Sequence, residues 1–273
     1  MDLSEALQCV GRSDAGMVRS HNEDAIYMDP ARGLVVLADG MGGYNAGEVA
    51  SGMATTLIGG ELAGALARAN LRRAAPEGHE CARTMVAAEI ARANGAIYQA
   101  AQSQPQYSGM GTTLVMAVFF DNAVCLAHIG DSRCYRYRDG RLELITRDHS
   151  LLQEQIDIGM ITPEEARRSQ NRNLVTRAVG VDPVVEAEVH EYDTLSGDIY
   201  LLCSDGLNDM VEDADIELTL RAMSANLELA AAQLVQMAND NGGRDNVSVI
   251  LVKVLRAYPA ERGIVERLRS WLE

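Results

Sequence analysis

The sequence predicts an α+β protein built on antiparallel sheet, and three observations carry that prediction. Short apolar runs rich in valine, leucine and isoleucine are joined by turn segments such as Pro30-Ala-Arg-Gly33, Asp121-Asn122 and Asp139-Gly140, as hairpins are. Helical segments occur as two consecutive pairs, the first of them alanine-rich with apolar residues at helical spacing. One local pattern also recurs: an apolar strand run ends in aspartate followed by glycine, first at Leu34-Val-Val-Leu-Ala-Asp-Gly40 and again at Ile199-Tyr-Leu-Leu-Cys-Ser-Asp-Gly206.

Taken in order, residues up to about Gly11 read as a first strand, and Arg12 to Asp24 as a polar loop without a period. Ala25–Asp29 and Leu34–Ala38 flank Pro30–Gly33 as a hairpin, and antiparallel pairing sets Asn22-Glu23-Asp24 beside Asp39-Gly40. Gly40 has no side chain, so its carbonyl can approach a ligand as closely as the Asp39 carboxylate does, a pairing suited to a hard cation; a lone Asp-Gly reads as a turn. Gly42 and Gly43 permit a tight turn into a helix from Ala46 to about Ala69, and a second helix runs from Glu80 to about Ala101. Both should cover one sheet face. Ser108 to Phe120 is a strand entered through glycines, Ala123–Ile129 returns beside it, and Arg133–Arg138 and Arg141–Thr146 continue what reads as a meander, with Asp131 at a strand exit.

Asp148 to Gly180 breaks the strand pattern. It holds a helix over Leu151–Ile158, a stop at Gly159, a helix start at Thr162-Pro-Glu-Glu165 and the polar run Arg167 to Asn173, as a mobile flap does. Arg167, Arg168 and Arg172 suit either a solvated face or substrate contact. Helices follow at Ile216–Met223 and Leu227–Asn239, then a glycine-rich loop feeds a final strand with Asp245 at its start. Pairing that strand antiparallel to the one before Asp205 brings both carboxylates to the same end. Glu261 to Glu273 reads as an amphipathic tail helix, with Ile264, Val265, Leu268, Trp271 and Leu272 on one side, packed on its own domain.

The 273 residues contain no low-complexity linker, so a single domain over residues 1–255 with a tail over 256–273 is expected. No apolar run approaches the roughly 18 residues of a membrane span, and the first residues lack a basic-then-apolar leader, so a cytoplasmic location is expected. Five cysteines without a C-x-x-C suggest neither a disulfide framework nor a zinc cage. A formal charge of -15 argues against nucleic acid and acidic membrane surfaces as partners and leaves room for bound cations.

Asp39, Asp131, Asp205 and Asp245 therefore lie at strand ends beside glycine or in glycine-rich loops. Oxygen ligands without histidine or cysteine at ligand spacing select Mg2+ or Mn2+ over zinc. Two such ions sharing a carboxylate acidify a water between them and hold it for in-line attack, as in binuclear phosphoester hydrolases. Arg19, in the polar loop at the same end, suits a clamp on phosphate oxygens through paired N–H donors.

The ordered motifs Asp14-x-Gly16-x-x-Arg19-x-x-Asn22-Glu23-Asp24, Ala38-Asp39-Gly40-Met41-Gly42-Gly43, Gly109-x-Gly111-Thr112-Thr113, Gly130-Asp131-Ser132-Arg133, Ser204-Asp205-Gly206-Leu207 and Gly243-x-Asp245-Asn246 resemble the PPM (PP2C-like) metal-dependent serine/threonine protein phosphatases in their compact bacterial form. The resemblance runs from about Gln8 to Leu255. It implies an α-β-β-α sandwich, two central antiparallel sheets flanked by helix pairs, with Asp148 to Gly180 as the flap that affects substrate choice. It further implies that Asp39 bridges two Mn2+ or Mg2+ ions, that the Gly40 carbonyl binds one of them, and that Asp205 and Asp245 complete the first. Asp131 with Asp205 would hold a third ion. Arg19 matches the phosphate-binding arginine, Glu23 would act through metal-bound water, and Asp24 and Asn246 would support the ligands.

One departure stands out. Bacterial relatives commonly carry histidine where Tyr44 stands, and animal members carry it where Met41 stands, so neither position offers an imidazole to protonate the leaving alkoxide. Tyr44 could donate weakly, water at the ions could do so, or Tyr44 could merely line the cleft. His21 and His149 read as structural, and His79, His128 and His190 carry no signal. The expected function is hydrolysis of phosphoserine and phosphothreonine in proteins by direct water attack. The expected partners are phosphorylated proteins, substrates of a serine/threonine kinase and the kinase itself, met by a monomer. The rivals are a phosphoprotein-binding pseudophosphatase or regulatory module, which should lack a core carboxylate, and a small-molecule phosphatase on the same fold.

Overall fold

The computed structural model describes residues 2–43, 46–68, 77–162, 165–166, 169 and 174–260. Tyr44, Arg167, Arg168, Arg172 and the expected tail helix lie outside the described residues. The first sheet takes β1 (Leu7–Asp14), β7 (Arg133–Arg138), β8 (Arg141–Leu144), β10 (Ile199–Cys203) and β11 (Val247–Val254), in the order β1-β11-β10-β7-β8. The second takes β2 (Asp24–Asp29), β3 (Leu34–Met41), β5 (Leu114–Phe120), β6 (Ala123–Ile129) and β9 (Glu188–Asp193), in the order β2-β3-β5-β6-β9, with the two-residue β4 (Gly111–Thr112) on the end of β3. Among the described residues every strand pairing is antiparallel.

The continuous apolar runs follow from a sheet covered on both faces. Along β3 and β5, alternate residues Val35, Leu37, Val115, Ala117 and Phe119 meet Tyr200, Leu202, Ile250 and Val252 of the other sheet. The intervening Leu34, Val36, Ala38, Leu114, Met116 and Val118 pack outward against α1 (Ala46–Arg68) and α2 (Glu77–Ser103). Leu201, Cys203, Val249 and Leu251 do the same against α5 (Asp213–Met223) and α6 (Leu227–Asp240). Each helix pair thus closes one outer face, and each large aliphatic chain so buried contributes about 1.5–3 kcal/mol. Ala46–Leu66 of α1 is long and apolar enough to cross a membrane by length and composition, contrary to the expectation that no such stretch exists. Within this fold, its Ala46, Ala50, Ala54, Ile58 and Leu62 lie buried on the sheet.

Two further expectations are corrected. The run from Ser108 to Thr146 is not one meander, because β6 belongs to one sheet and β7 to the other. The chain changes sheet at Gly130, whose φ of +101° favours glycine and whose added Cβ would stand 2.8 Å from Thr113. Asp131 therefore sits between the sheets at their shared end. The two Asp-Gly repeats also differ locally: β3 runs on through Asp39 and Gly40 into pairing with β4, whereas β10 stops at Cys203 and Asp205 opens the one-turn α4 (Asp205–Asn208). In the excursion after β8, α3 (Leu151–Asp157) is capped by Ser150, whose hydroxyl accepts from the Gln153 N–H at 3.3 Å. Thr162 and Glu165 form the expected reciprocal cap, with the Thr162 N–H donating to Glu165 at 2.8 Å and the Glu165 N–H to Thr162 Oγ1 at 3.2 Å.

Candidate metal centre

The two sheets end together at a cleft of about 220 Å³ lined by Arg19, Glu23, Asp39, Gly40, Asp131, Asp205 and Asp245, with Met41, Gly42, Thr113 and Val175. The register accounts for the convergence. Asp24 pairs with Asp39 across β2 and β3, while Cys203 pairs with Val249, so Asp205 just past β10 and Asp245 just before β11 emerge side by side. A second cleft of about 340 Å³ adjoins it, sharing Asp131 and Asp205 and reaching Asp209, Glu212, Asp213, Leu152 and Ile156.

Close backbone approach fixes the carboxylates. A Cβ on Gly40 would lie 2.1 Å from the Gly47 carbonyl oxygen, so glycine there lets α1 dock on the end of β3. A Cβ on Gly206 would lie 2.0 Å from the Asn246 carbonyl oxygen, which seats α4 on the approach to β11. The Asp39 N–H donates to Thr113 Oγ1 at 3.0 Å, the Asp39 carbonyl accepts from Thr113 N–H and Thr112 Oγ1, both at 2.8 Å, and Thr113 Oγ1 meets Ser132 Oγ at 2.7 Å. That network ties Asp39 to the strand exit carrying Asp131.

Asn246 anchors the loop that carries Arg19. Its Oδ1 accepts from the Glu23 N–H at 2.8 Å, and its Nδ2 donates to the carbonyls of Ala15 at 3.0 Å and His21 at 2.9 Å. Asn246 is buried, so all three bonds form away from bulk water. Arg19 is half exposed at the cleft mouth and donates through Nη2 to Asp245 Oδ2 at 2.6 Å. Behind the cleft, Asp24 Oδ2 accepts from Ser204 Oγ at 2.8 Å, while Asp24 Oδ1 is buried without a hydrogen-bond partner among the described residues.

The electrostatics match the geometry. Burial, then the charges of Asp24, Asp205, Asp131 and Asp245, push the Asp39 carboxyl well above the usual range. Burial, then Asp131 and Asp209, do the same to Asp205. Burial first also pushes Asp24 up to about 6 and, with Asp148 next, Asp131 up to about 7. Carboxylates resist charging together in a low-dielectric cleft unless cations offset them. The cleft lining offers oxygen donors, with no histidine or cysteine among its described residues, so hard divalent ions fit.

All the expected cleft residues meet in one place. Asp24 and Asn246 lie just behind it. Thr113, Ser132 and Ser204 stand in the ordered motifs without a role assigned to them, and Val175 lies outside those motifs. The Gly111-Thr112-Thr113 motif signalled Thr113, whereas nothing local in the sequence marks Val175.

The family model described as Protein phosphatase 2C matches residues 16–245. The serine/threonine protein phosphatase PstP of Mycobacterium tuberculosis is 41% identical over 250 residues, covering 91% of this chain and 45% of that protein, so the chain spans about half its length. Its crystal structure superposes with a TM-score of 0.81 at 38% identity, covering 91% of this chain and 99% of that one. The serine/threonine phosphatase stp of Listeria welshimeri is 37% identical over 245 residues, covering 89% of this chain and 94% of that protein. A structure of the catalytic domain of PstP in complex with two manganese ions superposes with a TM-score of 0.77 at 39% identity, covering 92% of this chain and 99% of that one.

Proposed function

The chain belongs to the protein phosphatase 2C family, and from that premise we propose that it is a metal-dependent phosphatase of phosphoserine and phosphothreonine in proteins. The observation that carries this reading is the convergence of Asp39, Asp131, Asp205 and Asp245 on one cleft with Arg19 at its mouth. The named relatives act as serine/threonine phosphatases, and one was captured with two manganese ions.

Asp39, the Gly40 carbonyl, Asp205 and Asp245 would hold two Mn2+ or Mg2+ ions, and Asp131 with Asp205 a third. When bound, the ions offset the carboxylate charge and supply an acidified water as the nucleophile. The chain's residues do the rest. Arg19 grips the phosphate oxygens through its fork of N–H donors, exchanging its contact with Asp245 for the substrate. Glu23, whose backbone N–H is fixed by Asn246 and whose carboxyl is raised by burial, orients water entering the cleft. Met41 lines the cleft and has no proton to give, so the proton for the leaving oxygen falls to Tyr44 or to water.

Phosphorylated proteins, substrates of a serine/threonine kinase and the kinase itself, are the proposed partners. Action as a monomer is part of the same proposal. The pseudophosphatase reading requires a missing core carboxylate, and none is missing. A small-molecule phosphatase would use the same centre, so substrate competition is the test. With Mn2+ present, a phosphothreonine peptide should inhibit hydrolysis of a small aryl phosphate with an inhibition constant equal to its own KM. An aryl phosphatase that the peptide neither inhibits nor supplies with substrate would contradict a protein phosphatase.

A further inference from the structure

Asp131 leaves β6 through Gly130, and Gly130 is held at two points by one residue. Its carbonyl accepts from the backbone N–H of His149 at 2.9 Å, and its own N–H donates to His149 Nδ1 at 3.1 Å. His149 is buried, and its Nε2 faces Glu188 Oε1 of β9 at 3.1 Å. Its ring stacks on His128, with centroids 4.8 Å apart and planes at 17°. The residue also joins both ends of the excursion after β8. The Thr176 N–H donates to the His149 carbonyl at 2.8 Å, and the neighbouring Ser150 bridges to Val175, which lines the cleft.

The ligand atoms of His128, His149 and Glu188 lie within 4.8 Å of one another, a spacing that by itself would admit a metal ion. The hydrogen bonds argue against one. A neutral imidazole whose Nδ1 accepts a backbone N–H carries its proton on Nε2, so that nitrogen donates to Glu188 and has no lone pair for a cation. His128 Nε2 donates to the Arg147 carbonyl at 2.8 Å, which leaves its buried Nδ1 with a lone pair, but with His149 unable to ligate, that nitrogen and Glu188 alone make no three-ligand site. The cluster is a hydrogen-bonded brace whose tautomer is set by the backbone on one side and a carboxylate on the other.

We propose that His149, oriented by Glu188, is a positioning residue that fixes the Gly130-Asp131 strand exit and clamps both ends of the segment between β8 and β9 to it. It touches neither substrate nor ion. It acts through Gly130 on the direction of the Asp131 carboxylate, as outer groups orient the ligands of metal sites. The inference rests on the reading of Asp131 as a metal ligand.

The test is Mn2+ binding by electron paramagnetic resonance of the free ion, on wild type, Asp131→Asn, His149→Phe, His149→Asn and Glu188→Leu. Asp131→Asn comes first: if it leaves the weakest class of Mn2+ sites intact, the reading of Asp131 fails, independently of His149. If that class is lost, His149→Phe, which keeps a planar ring but no nitrogen, should weaken it about 10–100-fold. His149→Asn, whose Oδ1 can accept the Gly130 N–H in place of Nδ1, should recover most of that loss. Backbone amide exchange at Gly130 and Thr176 in the metal-free protein should quicken in the Phe variant and less in the Asn variant. A folded His149→Phe with wild-type Mn2+ affinity, or equal weakening in the Phe and Asn variants, would overturn the proposal. Should His149→Phe not fold, Glu188→Leu carries the test, with about tenfold weaker binding expected and unchanged binding overturning it.

Discussion

At the scale of residues, Asp39, Asp131 and Asp205 were legible because each sits where an apolar run stops beside a glycine, and Asp245 because it leads from a glycine-rich loop into the last such run. The roles of the residues that aim them were not. Ser204, Thr113 and Ser132 act through contacts that only the folded chain creates, and Val175 reaches the cleft from the far side of a long excursion. Asn246 was expected as support for Asp245; its backbone N–H donates to Asp245 Oδ1 at 2.9 Å, and its Oδ1 and Nδ2 make three further bonds to the Arg19 loop. Asn246→Ala should therefore cost about 2–4 kcal/mol in urea unfolding, from lost bonds and backbone groups left without partners. Arg19→Ala, at a half-exposed position, should leave the urea midpoint within error. It should lower kcat/KM for a phosphopeptide about 10–100-fold, from the loss of a charge-assisted contact of about 1.5–3 kcal/mol.

At the scale of elements, the hairpin before Asp39, both helix pairs and the closing strand all stood in the sequence, because periodicity and turn residues act locally. The sheet change at Gly130 did not. An apolar run ending in Gly-Asp-Ser reads equally well as a hairpin tip, and the choice is made by Thr113 packed against Gly130 and by His149 bonded to it. The apolar length of α1 likewise has two readings, and the sheet beneath it decides between them. Glycine marks where elements meet. Gly40→Ala would drive a Cβ into the Gly47 carbonyl at 2.1 Å, backbone against backbone, so α1 must lift from β3. Calorimetry should record a loss of at least about 3 kcal/mol. Gly43→Ala, with open space around it, should alter stability by less than about 1 kcal/mol by the same measurement.

At the scale of the whole molecule, the fold gathers strand ends from two sheets into one acidic cleft, and protons compete with cations for it. The carboxyls of Asp24 and Asp131 are raised to about 6 and about 7, those of Asp39 and Asp205 also upward, above an unfolded value of about 3.9. A raised folded value means that the folded state binds the proton more tightly. In chelator, their contribution to stability is therefore full below about pH 4 and is lost as pH rises through the 6–7 range. Bound Mn2+ stabilises the ionised form instead. The rise in Tm on adding Mn2+ should be larger at pH 7.5 than at pH 5.5, measured by scanning calorimetry. The most direct test of the metal centre itself is turnover of a phosphothreonine peptide by wild type and by Asp205→Asn, each in Mn2+, in Mg2+ and in chelator. The account predicts turnover that requires the metal and disappears in the folded variant. Turnover that survives chelator or the loss of Asp205, or none at all from folded protein with Mn2+ bound, would contradict it.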